Sequence, residues 1–162
     1  MRLPTYFISH GGGPWPWMDG PFRRQYDQLH ASLQAIAAEA GKPRAILMVS
    51  GHWEEDRFTV QSSAAPGMIY DYGGFPPHTY QIRYASPGAP AVALRVKELL
   101  GKAGIPAALD PERGYDHGTF TPAQSMYPEA DVPVLQLSLK HGYDPEEHLA
   151  VGRALAPLRD EG

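Results

Sequence analysis

Apolar residues follow two alternating rhythms along the chain. Leu3-Pro4-Thr5-Tyr6-Phe7-Ile8 is a short apolar run that predicts a buried strand, stopped by Gly11-Gly12-Gly13-Pro14. Across residues 22–40, Phe22, Tyr26, Leu29, Leu33, Ile36, Ala37 and Ala40 step by three and four, the spacing of an amphipathic helix that Gly41 and Pro43 end. Ala45-Ile46-Leu47-Met48-Val49 predicts a second strand, apolar throughout as when helices cover both faces of a sheet, and it runs into Ser50-Gly51-His52-Trp53. Residues 58–61 alternate like a third strand. Residues 64–90, dense in Gly, Pro and Tyr, predict a long loop of the kind that usually carries function. Helical spacing returns over 91–104, then come a strand over 105–109, a short helix over 121–126, a buried strand over 132–139 and a last helix over 146–158. Strand and helix alternate throughout, which predicts an α/β fold with a largely parallel or mixed central sheet flanked by helices.

No linker or repeat divides the 162 residues, so the expectation is a single domain, 1–162. Fourteen Lys and Arg against eighteen Asp and Glu leave a net charge of −4, which offers no footprint for nucleic acid and no basic segment for an anionic membrane. No stretch approaches the ~18 apolar residues of a membrane span, and the run over 3–8 is too short for a signal-peptide core; a cytoplasmic protein is the expectation. Gly and Pro, 17 of each, predict many shaped loops. Cysteine is absent, so disulfides, thiolate metal sites and cysteine nucleophiles are excluded, and any metal must be held by His, Asp or Glu.

Two of the seven histidines share a context: His10 follows the first predicted strand and His52 the second. The carboxyl ends of parallel strands form the ligand crevice of an open α/β sheet, so both imidazoles could reach one ion there. His117, in Tyr115-Asp116-His117-Gly118, follows a carboxylate of the sort that orients an imidazole. Three such histidines suit zinc or non-haem iron(II), yet the same contexts also suit ordinary loop histidines, and no HExxH-type motif decides between them. His30 reads as a helix-surface residue, His141 as part of a turn and His148 as part of the last helix. Gly11-Gly12-Gly13 lacks both the GxGxxG order and a Walker lysine, so it is a poor phosphate cradle. Trp15, Trp17, Trp53, Tyr70, Tyr72, Phe75 and Tyr80 gather in the same loops, either as packing or as a flat wall for an aromatic substrate. Tyr72, Phe75 and His78 are the candidates for that wall.

Five motifs in register, Ser9-His10-Gly11-Gly12-Gly13-Pro14-Trp15-Pro16, Ser50-Gly51-His52-Trp53, Tyr72-Gly73-Gly74-Phe75-Pro76, Tyr115-Asp116-His117-Gly118 and Met126-Tyr127-Pro128 with Val134-Leu135-Gln136-Leu137-Ser138, resemble the class III extradiol ring-cleavage dioxygenases of the LigB type. The nearest branch is similar to the 4,5-DOPA extradiol dioxygenase-like proteins, and the likeness covers essentially the whole chain. It implies a mononuclear iron(II) enzyme that opens a catechol ring beside its hydroxyls with dioxygen. It also implies that His10 and His52 are metal ligands, and that His117 is the acid-base catalyst, often counted among the metal-binding residues. A remaining ligand would follow a stretch like Leu158-Arg159-Asp160-Glu161-Gly162, where this sequence stops; a C-terminally truncated domain is therefore expected. Zinc outcompetes iron(II) at most N/O sites, so aerobically prepared protein is expected to carry zinc as a stand-in. The alternatives are a zinc-dependent hydrolase on the same histidines and an inactive truncated binding or subunit protein. A sheet edge left open by a missing tail predicts pairing with another chain, as in a homo-oligomer.

Overall fold

The computed structural model describes residues 2–162. Its sheet has four strands, β1 (Ile46–Glu55), β2 (Phe58–Gln61), β3 (Ala107–Asp110) and β4 (Val134–Lys140), in the order β1-β4-β2-β3. β1 lies parallel to β4 and β2 parallel to β3, while β2 and β4 meet antiparallel at the single pair Val60↔Leu137. The sheet is thus mixed, and the α/β reading holds. At the antiparallel seam, the Thr59 amide donates to the Ser138 hydroxyl at 2.9 Å, a side chain serving where a ladder carbonyl would otherwise stand.

β4 alternates between the two faces, as a strand must. Leu135 and Leu137 pack with Val96, Leu100, Val151 and Leu155 of α3 (Pro90–Lys102) and α5 (Pro145–Leu155). Val134 faces the other way, into a cluster with Tyr84, Tyr115, Phe120 and Ala123, the last two from α4 (His117–Met126). Burying each large apolar side chain contributes roughly 1.5–3 kcal/mol.

The structure amends the sequence reading at several points. The helix expected over 22–40 is two, α1 (Gly20–Arg24) and α2 (Asp27–Ala40), broken at Tyr26. The last helix ends at Leu155, and a separate turn, α6 (Leu158–Glu161), follows. The strand expected over 3–8 is absent: residues 2–10 have no regular structure, and Phe7 is fully exposed at 106 %. A strand needs a partner as well as apolar residues, and the free edge of β1 does not pair with this segment. The segment is tied instead to the last helical turn: the Leu3 amide donates to the Arg159 carbonyl at 2.7 Å, and Arg159 Nε returns a bond to the Leu3 carbonyl at 2.6 Å.

Candidate metal centre

His10, His52 and His117 converge, each offering a ring nitrogen within 4.8 Å of the other two. His10 and His52 approach most closely, Nε2 to Nε2, at 3.1 Å. None of the three arrives quite as the sequence suggests. His10 rides on the irregular N-terminal segment and not on a strand end. Its position is fixed by Trp15, fully buried, whose Nε1 donates to the His10 carbonyl at 2.8 Å. Gly11, at φ +75°, leaves room for that indole; a Cβ there would meet Trp15 Nε1 at 2.5 Å.

His52 lies inside β1, where the pairing slips: five residues of β1 pass from Val49 to Glu54 while β4 advances only two, from Leu137 to Leu139. Residues 50–53 are thereby lifted out of the ladder, a bulge that re-aims side chains. The Ser50 hydroxyl stabilises the excursion, accepting from the His52 amide at 3.2 Å and donating to buried Asp116 Oδ1 at 2.7 Å.

His117 opens α4, which starts four residues earlier than the 121–126 pattern predicts. Asp116 does not orient its ring. It is the N-cap, accepting from the Thr119 amide at 3.1 Å, and its other oxygen takes Arg113 Nη2 at 2.9 Å. A side chain at that position points along the helix start, away from its neighbour's ring. Gln136, buried on β4, holds the turn in place by accepting from the Asp116 amide at 3.3 Å and donating to the Gly114 carbonyl at 3.1 Å.

The carboxylate that does meet the rings is Asp71, which the sequence reading missed. Asp71 Oδ1 lies 2.8 Å from His117 Nδ1 and accepts from the His117 amide at 2.9 Å; Oδ2 lies 3.3 Å from His52 Nδ1. Burial works against the Asp71 charge, but the side-chain and backbone N–H bonds from His117 outweigh it and hold its pKa below the ordinary value. His10 has no such partner, and its Nδ1 is buried without a hydrogen bond. Burial, then the neighbouring His117 and His52, lower its pKa, which favours the neutral imidazole a metal ion requires.

Tyr72 borders the cluster, its ring 5.7 Å from that of His117 and edge-on to it. The Tyr72 hydroxyl donates to the Thr79 carbonyl at 2.6 Å, and burial, followed by Tyr70 and Tyr80, pushes its pKa up to about 12. Phe75 packs on Tyr72 at 5.5 Å and closes over Gly13. His78 is exposed, and its Nε2 meets the Trp17 carbonyl at 3.2 Å; Tyr72, and not His78, makes the ring contact with the cluster. A cavity of about 480 Å³ lies elsewhere, lined by Glu55, Arg57, Thr59, Asp110 and Glu112, and holds none of the three histidines.

The donor set can be tested against an ion by simple geometry. Imidazole nitrogens bind zinc at about 2.0–2.1 Å, so two of them at about 90–109° stand roughly 2.9–3.4 Å apart. The 3.1 Å between His10 and His52 falls within that interval. Fold and cluster together define a mixed-sheet α/β protein whose three-imidazole site suits one metal ion. The chain belongs to the family described as the catalytic LigB subunit of aromatic ring-opening dioxygenase, whose model matches residues 4–162.

Among its relatives is the 4,5-DOPA dioxygenase extradiol of Portulaca grandiflora, 49% identical over 98% of this chain and 57% of its own length. The proteins of the same name from Beta vulgaris and Escherichia coli K12 are 42% and 40% identical, over 98% and 99% of this chain and 58% and 56% of their own lengths. A crystal structure of an uncharacterized Escherichia coli K12 protein superposes with a TM-score of 0.67 at 38% identity, covering 83% of this chain and 49% of that one. The chain thus spans little more than half the length of the curated relatives it matches.

Proposed function

We propose that this chain carries the metal-binding histidines of an extradiol dioxygenase acting on a catechol, with iron(II) as the working metal. The observation that carries the reading is the convergence of His10, His52 and His117, which fits one ion without cysteine or a bound carboxylate. The names of the relatives, 4,5-DOPA dioxygenase extradiol, supply the substrate class and the reaction. A divalent ion held there would act as a Lewis acid, lowering the pKa of a coordinated hydroxyl. A phenol ordinarily ionises near ~10, so a catechol needs such help at neutral pH.

The chain's own residues would do the rest. His10 and His52 are uncharged donors, so they leave the ion's positive charge for an anionic substrate. His117, hydrogen-bonded to Asp71 through Nδ1, would stand beside the ion with its Nε2 lone pair left to accept a proton from the second catechol hydroxyl and later return it. Tyr72 and Phe75 provide an aromatic surface beside His117, suited to a flat ring. The test is anaerobic loading with iron(II), followed by oxygen uptake with a panel of catechols. Expected is uptake with a coloured ring-opened product, lost in His52→Ala. Iron-loaded protein that consumes no oxygen with any catechol, or zinc-loaded protein that hydrolyses esters without oxygen, overturns the reading.

A further inference from the structure

The geometry points to Asp71 as a positioning residue that engages two of the three imidazoles with one carboxylate and so sets which nitrogen each turns to the metal site. The inference rests on the metal reading above and adds to it. Asp71 Oδ1 stands 2.8 Å from His117 Nδ1, and Oδ2 stands 3.3 Å from His52 Nδ1. An ionised carboxylate only accepts hydrogen bonds, so the proton of neutral His117 sits on Nδ1 and its Nε2 is left as a lone pair, while the Oδ2 charge beside His52 Nδ1 favours the same tautomer there. A second hydrogen bond from His117, its amide to Oδ1 at 2.9 Å, prevents the carboxylate from rotating away from that pair. His52 comes from the bulge of β1 and His117 from the first turn of α4, two elements whose ring orientations are otherwise independent. Asp71, reaching in from the 64–90 loop, makes them one unit, the arrangement in which carboxylates beyond a metal's own ligands tune affinity. His10 lies outside this unit, its buried Nδ1 unpartnered.

The same residue belongs to the loop that carries Tyr72, so the aromatic surface and the ring orientations share an anchor. Elsewhere this stretch is held by the Ile69 amide to the Tyr115 carbonyl at 2.7 Å.

The test uses cobalt(II) alone as the probe, titrated into the metal-free chain and followed by calorimetry and by visible absorption. Wild type, Asp71→Ala, Asp71→Asn and a His52→Ala control are compared, with melting curves of each metal-free form. Asp71→Ala is expected to bind cobalt about 10–100-fold more weakly and with an altered absorption band. Asp71→Asn is expected to fall between it and wild type, since the amide oxygen can keep the His117 Nδ1–H bond while the charge facing His52 is lost. If Asp71→Ala fails to fold, Asp71→Asn decides alone. A merely structural role would lower the melting temperature and leave affinity and spectrum of the folded protein unchanged; that result overturns the proposal while leaving the metal reading intact. Wild-type protein whose cobalt spectrum is unaffected by His52→Ala overturns the metal reading itself.

Discussion

Gly118 leaves the space in which His52 sits. A Cβ there would stand 2.7 Å from His52 Cδ2 and 2.9 Å from Ser50 Oγ. Gly118→Ala is therefore expected to shift the imidazole, destabilise the fold by roughly 1–3 kcal/mol and weaken metal binding about tenfold; denaturant melts and a zinc competition titration check both parts. At this scale the sequence was informative where chemistry and backbone signals coincide. His10 and His117 each adjoin a glycine and His52 follows one, and the structure brings the three together. Asp71 was illegible because it lies in a loop without periodicity, so nothing along the chain says where its carboxylate ends up. The one signal was its setting, a single acid between Tyr70 and Tyr72 beside a run of glycines and prolines. Asp116 was misread for the opposite reason: adjacency in sequence suggested contact. The N-cap preference of Asp before a helical run was the better guide.

Asp116 shows how an element can be the scaffold of a site without touching it. Fully buried, it caps α4, accepts from Ser50 on the β1 bulge and pairs with Arg113. Losing an N-cap costs about 1 kcal/mol, and breaking a buried charged pair about 3–5 kcal/mol. Asp116→Ala is thus expected to destabilise the protein by at least about 3 kcal/mol, and Asp116→Asn, which keeps a cap, by less; urea denaturation measures the difference. Element types were readable from period alone for α3, β2, β4 and α5, where apolar faces meet a continuous core. Period alone misassigned residues 3–8, since an apolar run signals burial and not the presence of a neighbouring edge. It also hid the break at Tyr26, where the apolar spacing continues across the interruption of the backbone.

Across the whole molecule, apolar surface is distributed unevenly. The seam between β4 and the α3 and α5 layer is buried, while β1, at one end of the strand order, leaves Val49 53 % exposed, with Tyr6 and Phe7 also exposed on the N-terminal segment. An unpaired edge with apolar side chains is a template for pairing. Sedimentation velocity is expected to show concentration-dependent self-association of this chain, reduced in a Phe7→Ser, Val49→Lys double variant; a concentration-independent monomer would contradict this. Among the described residues, no helix is long and apolar enough to cross a membrane.

The slipped register within β1 separates two demands that usually compete. Pairing on either side, at 46–49 and again at Glu54 and Glu55, fixes the strand, while the residues between are held by side chains: Ser50 to Asp116, the His52 ring beside Asp71, and buried Trp53 to Glu55. The His52 imidazole is thus placed by side-chain contacts and not by the ladder hydrogen bonds that hold the sheet. The bond lengths a metal demands and the stability of the fold can then be adjusted by different substitutions.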